Sequence, residues 1–130
     1  VLEEGAAVSD AEFAAATQLR NEYSWAFTEA LSAIDALASP AGGKTFEIDP
    51  KIQYGNSSDI QVVFDNIQLQ FTFPADFAGI PALSLPCGFS REGLPLTIQF
   101  MGNHLGEATL CRIGHAYEKI TEWHTQHPSL

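Results

Sequence analysis

Apolar residues return along the chain at two different periods, and each period predicts a different element. Leu19, Tyr23, Phe27, Leu31 and Ile34 follow one another at spacings of three and four, which stacks them on one side of a helix. Ser9-Asp10-Ala11-Glu12 stands in front of them as a capping box, in which the hydroxyl accepts from the third backbone N–H while the Glu side chain reaches back. Ala14, Ala15, Ala16, Ala26 and Ala30 favour helix between the stripe positions. One long helix is predicted from about Asp10 to Ile34.

Beyond it, Ile34 to Pro40 alternates apolar with small or polar residues before Ala41-Gly42-Gly43, which suits a short strand over residues 34–38 entering a loop. Residues 40–58, punctuated by Pro40, Gly42, Gly43, Pro50 and Gly55, read as irregular surface. From Asp59 to Phe73 the apolar set Val62, Val63, Phe64, Ile67, Leu69, Phe71 and Phe73 satisfies both periods, and helix is favoured for its first half. Ala82–Pro86 and Leu96–Met101 enclose the polar turn Ser90-Arg91-Glu92-Gly93 and predict a β-hairpin. Leu110, Ile113, Tyr117 and Ile120 make the stripe of a final amphipathic helix over Glu107–His124. Helices and strands in this order indicate an α/β class, and no internal repeat interrupts it.

Composition narrows the picture. A chain of 130 residues, 45% hydrophobic and 17% charged, fits a single unit able to bury a core. Its apolar stretches break well short of the roughly 20 residues a spanning helix needs, so no membrane span is expected. No basic region followed by an apolar run opens the chain, and Cys87 and Cys111 are too few for a disulfide framework, so a reducing, cytoplasmic setting is expected. The net charge of −10 repels phosphate backbones, which excludes nucleic acid as the natural partner. Residues 1–65 carry eleven Asp or Glu against three Lys or Arg, and residues 66–130 five against three, so the first half is the more solvated. Met101 is the only methionine and the chain begins with Val1, so either a start was removed or the chain is part of something longer.

Residue chemistry by itself assembles no reaction centre. His115, His124 and His127 lack the spacing of shared metal ligands, and neither cysteine joins them in a C-x-x-C pair, so no metal is expected. Ser84 lacks the Gly-x-Ser-x-Gly setting of a strained nucleophile, and Ser57-Ser58 after Gly55-Asn56 is better read as a helix cap. Gly102-Asn103-His104-Leu105-Gly106-Glu107 opens a helix without the Gly-Lys-Ser/Thr ending of a phosphate loop, so a cap by Asn103 or Gly106 is preferred. Asp76 lies among apolar residues as either a local cap, the preferred reading, or a pocket residue.

Three ordered motifs carry a resemblance over nearly the whole chain. Phe71-Thr72-Phe73-Pro74-Ala75-Asp76-Phe77-Ala78-Gly79-Ile80-Pro81-Ala82-Leu83-Ser84-Leu85-Pro86-Cys87-Gly88-Phe89 comes first, followed by Gly93-Leu94-Pro95-Leu96-Thr97-Ile98-Gln99-Phe100-Met101-Gly102. Glu107-Ala108-Thr109-Leu110 with Ala116-Tyr117-Glu118 completes the set, and upstream Ala15, Arg20 and Asp35-Ala36-Leu37-Ala38-Ser39-Pro40 fit the same order. Together they resemble the C-terminal portion of the amidase signature family. The resemblance implies a mixed sheet flanked by helices, amide-bond hydrolysis without a cofactor, and a Lys and two Ser lying N-terminal to the matched part. Lys44, Lys51 and Lys119 stand in none of the family's Lys contexts and no Gly-Gly-Ser-Ser-like stretch exists, so no catalytic residue is carried over. What carries over is a substrate-pocket wall: the segment matching Phe71 to Gly79 lines the acyl side, which nominates Phe71, Thr72 and Asp76. Asp76 replaces the Asn common in the family and adds a charge. Ile67-Gln68-Leu69-Gln70 precedes Thr72 where the A subunits of tRNA-dependent amidotransferases often carry Tyr or Asp, so that branch is less favoured.

Two readings follow. In the first, the chain is the C-terminal part of an amide-bond hydrolase, inactive by itself. Its partners are a small-molecule amide and the N-terminal remainder of the same protein, with self-association through bare strands as a further expectation. In the second, it is a self-standing interaction or binding domain that lacks the amidase chemistry.

Overall fold

The computed structural model describes residues 2–42 and 71–127 of the chain. In chain order these form α1 (Leu2–Ala6), α2 (Asp10–Leu31), β1 (Ala36–Pro40), α3 (Phe73–Ala78), β2 (Ala82–Phe89), β3 (Pro95–Gly102) and α4 (Glu107–Ile120), followed by a 3-10 turn at Trp123–Thr125. The irregular stretch expected up to residue 58 and the helix expected from residue 59 lie outside the described residues beyond Gly42.

Helix α2 starts where its capping box predicts. The Ser9 backbone N–H donates to the Glu12 carboxylate at 2.8 Å, and the Ser9 hydroxyl accepts from the Glu12 N–H at 3.3 Å. Hydrogen bonds from the Ser9 side chain first and its backbone second hold the Glu12 carboxyl below its ordinary value. The helix stops at Leu31, short of the predicted Ile34. There the Ser32 hydroxyl donates to the Glu29 carbonyl at 2.7 Å and Asn103 Nδ2 to the Leu31 carbonyl at 3.2 Å. Side-chain donors on terminal carbonyls replace the bonds of a further turn, so the chain is free to leave the helix. Strand β1 consequently begins at Ala36 and runs to Pro40, two residues later than the alternation suggests. Proline is tolerated there because β1 is an edge strand.

The sheet has the order β1-β3-β2 with both pairings antiparallel. The hairpin is longer than its apolar cores suggested. Its turn is tied by the Ser90 N–H to the Leu94 carbonyl at 2.8 Å, and the Ser90 hydroxyl accepts from the Glu92 and Leu94 N–H groups. The pairing steps over Cys87, between Pro86 and Gly88.

Strand alternation then assigns the two faces of the sheet. Leu83, Leu85, Ile98 and Phe100 share the face covered by α4, where Phe100 meets Tyr117 edge-on at 6.3 Å. Gly114 permits that approach, since a Cβ on it would stand 2.7 Å from Leu83 Cδ2. Gln99 and Met101 point the other way, and Met101 joins Leu31, Ala75, Ala78 and Ile80 in a core flanked by Tyr23 and Phe27. Helices therefore flank both faces of the sheet, which is the α/β class read from the element order.

Two apolar stripes are used only in part. Helix α4 ends at Ile120, not His124: Thr121 is extended, its hydroxyl donates to the Tyr117 carbonyl at 3.0 Å, and Trp123 folds back to Phe89 at 6.2 Å. Ile120, the last stripe position, is 82% exposed. On α2, Leu31 is 1% exposed, but Leu19, on the same stripe, is 58% exposed. None of the described helices is long and apolar enough to cross a membrane.

The two leucines of α2 should respond oppositely to truncation. Leu31→Ala removes a fully buried side chain and should cost about 2 to 5 kcal/mol. Leu19→Ala should stay within about 0.5 kcal/mol. Thermal unfolding followed by far-UV circular dichroism compares them, and equal losses would place the N-terminal half of α2 against the core.

Candidate functional site

Phe71, Thr72 and Asp76 come together at the start of α3. Pro74 sits in the first turn, where the N–H it lacks would have no helical partner. Thr72 occupies the N-cap position with helical backbone angles and makes no side-chain capping bond. Phe71 and Thr72 are half-buried, and Asp76 is exposed. The preferred reading of Asp76 as a cap is corrected: it lies inside the first turn, and no hydrogen bond to its carboxylate is found among the described residues. Its charge faces solvent at the positive end of the helix dipole.

Both ends of this segment are held from outside it. At the near end Gln99, 4% exposed on β3, donates Nε2 to the Phe71 carbonyl at 2.8 Å. At the far end three consecutive carbonyls face three side chains. Arg20 Nε donates to Phe77 at 3.0 Å, the Ser24 hydroxyl reaches Ala78 at 3.0 Å, and His104 Nδ1 lies 3.3 Å from the Gly79 carbonyl. The single Ser24 proton is divided between Ala78 and the Arg20 carbonyl, 2.8 Å away on its own helix. Gly79 closes α3 at φ 71°, where a side chain is strained, and its N–H and that of Ile80 both return to the Ala75 carbonyl, at 2.9 and 3.1 Å.

Beside this segment Tyr23, Phe73, Pro74 and Phe77 line a shallow concavity of about 310 Å³, in which Tyr23 and Phe77 meet edge-on at 5.5 Å. A second cavity of about 400 Å³ lies at the hairpin end, between Phe89, Pro95, Trp123, His124 and His127, and neither concavity is lined by Phe71, Thr72 or Asp76.

No set of nucleophile, base and oxyanion donors appears among the described residues. Ser84 is exposed on β2 and pairs in register with Gln99. Burial first, and Cys87 second, push the Tyr117 hydroxyl above the usual phenol value, so it stays protonated at neutral pH and serves as no base. No group of three or more His, Cys, Asp or Glu among the described residues is placed to share a metal ion. Of the two caps proposed for α4, Gly106 takes the position, because a Cβ there would lie 2.6 Å from the Asn103 carbonyl. The Asn103 side chain instead serves Leu31.

Comparison with known proteins agrees with this architecture. Residues 2–111 match the family model described as Amidase. The chain is 39% identical over 122 residues to the A subunit of glutamyl-tRNA(Gln) amidotransferase from Chloroflexus aurantiacus, covering 93% of this chain and 23% of that protein. The corresponding protein of Thiobacillus denitrificans is 32% identical over 120 residues, covering 92% and 23%. The crystal structure of the same A subunit from Thermotoga maritima superimposes with a TM-score of 0.53 at 34% identity, over 77% of this chain and 20% of that one. The chain thus belongs to the amidase family and corresponds to the C-terminal portion of an amidase signature protein. It spans about a quarter of the length of the curated relatives it matches. Those relatives are amidotransferase A subunits, so they lend no support to setting this chain apart from that branch on residues 67–70.

Gln99, Ser24 and His104 hold the segment, and sequence reasoning passed over all three. Gln99 did leave a signal, as an amide between Ile98 and Phe100 in an apolar strand; the other two met α3 only through tertiary contact. Gln99→Ala should cost about 1 to 3 kcal/mol, the penalty of leaving a carbonyl without its donor. Gly79→Ala should cost about 1 to 2 kcal/mol from the left-handed backbone alone, with the new Cβ also 3.1 Å from the Arg20 guanidinium. Urea unfolding measures both, and a Gly79→Ala protein as stable as the parent would show that the turn relaxes freely.

Proposed function

We propose that the chain serves an amide-bond hydrolase as its C-terminal part, providing sheet strands and the substrate-pocket wall formed by Phe71, Thr72 and Asp76. The observation that carries this is the segment 71–79 itself, pinned at both ends and bordered by a concavity with aromatic sides. A hydrolytic centre needs an activated nucleophile and preorganised oxyanion donors. The proposal assigns both to an N-terminal remainder of the same protein, and leaves to these residues the shape of the pocket and the exclusion of water. In this reading residues 1–130 act as one unit on a small-molecule amide. Asp76, as a carboxylate in that wall, favours a substrate whose near end carries N–H donors or positive charge. Free thiols at Cys87 and Cys111 support a reducing, cytoplasmic setting.

A second reading rests on the names of the relatives: the whole protein acts as the A subunit of an amidotransferase. The net charge of −10 on this portion favours the first reading, because the second brings a nucleic acid to the complex. Assaying the complete protein for amide hydrolysis and for amide transfer to glutamyl-tRNA(Gln) separates them. The self-standing domain has less support, since Phe13, Leu19, Trp25 and Leu37 stand exposed as they would beside a missing neighbour.

The 130-residue chain alone should hydrolyse no amide or ester above background. Turnover that survives purification and disappears in Ser57→Ala, Ser58→Ala or Ser84→Ala would overturn the proposal. In the complete protein, Phe71→Ala should change the ratio of kcat/KM between bulky and small acyl amides, with a loss of stability smaller than the roughly 3 to 5 kcal/mol of a fully buried aromatic. An unchanged ratio with a large fall in Tm would make Phe71 plain core.

A further inference from the structure

We propose that Arg20, Ser24 and His104 are positioning residues for the pocket wall, holding the Phe77, Ala78 and Gly79 carbonyls so that α3 stands at a fixed place beside α2. The inference rests on the wall reading above and adds to it the device that sets where the wall stands.

Helix α3 has only six residues, too few to persist by its own hydrogen bonds. Its C-terminal carbonyls would ordinarily be left to water. Here each of the last three carbonyls in the run from Phe77 to Gly79 faces a donor from a different place: two from successive turns of α2 and one from the loop between β3 and α4. Arg20 also brings a positive charge to the negative end of α3, the favourable sense of the helix dipole. The loop that carries His104 is itself anchored, because the Asn103 amide donates to the Leu31 carbonyl at the end of α2. The donors and the wall therefore share one frame. Ala75 and Ala78 pack into the core with Leu31 and Met101, so lateral movement of α3 is opposed by packing, Gln99 holds the approach to its N-terminus, and the three polar contacts hold its C-terminal end. Loosening them moves Phe73 and Phe77, two sides of the concavity, and with them the neighbouring Phe71 and Thr72.

For His104 to donate, the proton must sit on Nδ1. Asparagine places its side-chain N–H near that position, so His104→Asn keeps the donor that His104→Ala removes. In the complete protein, Arg20→Ala and His104→Ala should each raise amide hydrogen exchange at Gly79 and Ile80 about tenfold. They should also raise KM for a bulky acyl amide about tenfold while leaving kcat within about twofold, and His104→Asn should restore both readouts. Exchange that does not change in either alanine variant overturns the proposal whatever happens to substrate. Raised exchange with KM unchanged shows that the clamp exists but the wall meets no substrate, which overturns the wall reading and the positioning role together. A fall in kcat together with a rise in KM that His104→Asn fails to rescue reports general unfolding and also overturns it.

Discussion

The side-chain amide of Gln99 joins the two parts of this molecule. It stands on the central strand, nearly excluded from water, and its Nε2 ties down the Phe71 carbonyl, 28 residues earlier in the chain. A buried amide without partners would cost more than most single apolar contacts return, so strand and segment hold one another in register. Everything that follows Phe71, including the proline-opened turn of α3 and the left-handed exit at Gly79, starts from that fixed point. Met101, two residues further along the same face, then closes the apolar part of the joint against Ala75 and Leu31.

Around this joint the molecule is asymmetrically finished. On the α4 side β2 and β3 are covered, with Leu110 against Gly102 and Leu83 against Gly114, while Ala38 and Pro40 of β1 stay exposed. On the opposite side the central strand is covered at Gln99 and Met101, and Ala82, Ser84 and Leu37 remain exposed on the flanking β2 and β1. Helix α2 repeats the pattern along its length: its last two turns pack, and its first half projects Phe13 and Leu19 into water. Strand edges and apolar helix faces of this kind are surfaces that partners cover. Matches reaching over nine-tenths of this chain but about a quarter of the relatives fit a piece whose remaining faces belong to the rest of a larger fold.

Elements held by local chemistry could be read from the chain. The Ser9 capping box marks the start of α2, Ser90 to Gly93 marks the hairpin turn, and the stripe from Leu110 to Tyr117 marks α4. The ends of α2 and α4 escaped, because a stripe continues in sequence after the helix has gone. Asn103, from 72 residues away, joins Ser32 in satisfying the last carbonyls of α2, and Thr121 caps the end of α4 while Trp123 turns away to Phe89. Residues 71, 72 and 76 were nominated through family resemblance, since no charge pattern or spacing around them distinguishes a wall from a core.

The sequence by itself determined the periods, caps and turns, and with them an α/β chain whose order of motifs places it in the amidase family. Such signals act over four or five residues, where hydrogen bonds and side-chain spacing need no distant partner. Only the tertiary structure decided that α2 packs through Tyr23, Phe27 and Leu31 alone, that Asp76 faces solvent, and that Arg20, Ser24 and His104 converge on one run of carbonyls. The three bonds to those carbonyls join residues 25 to 57 positions apart, and a donor's partner at that range is fixed by packing and not by its neighbours in the chain.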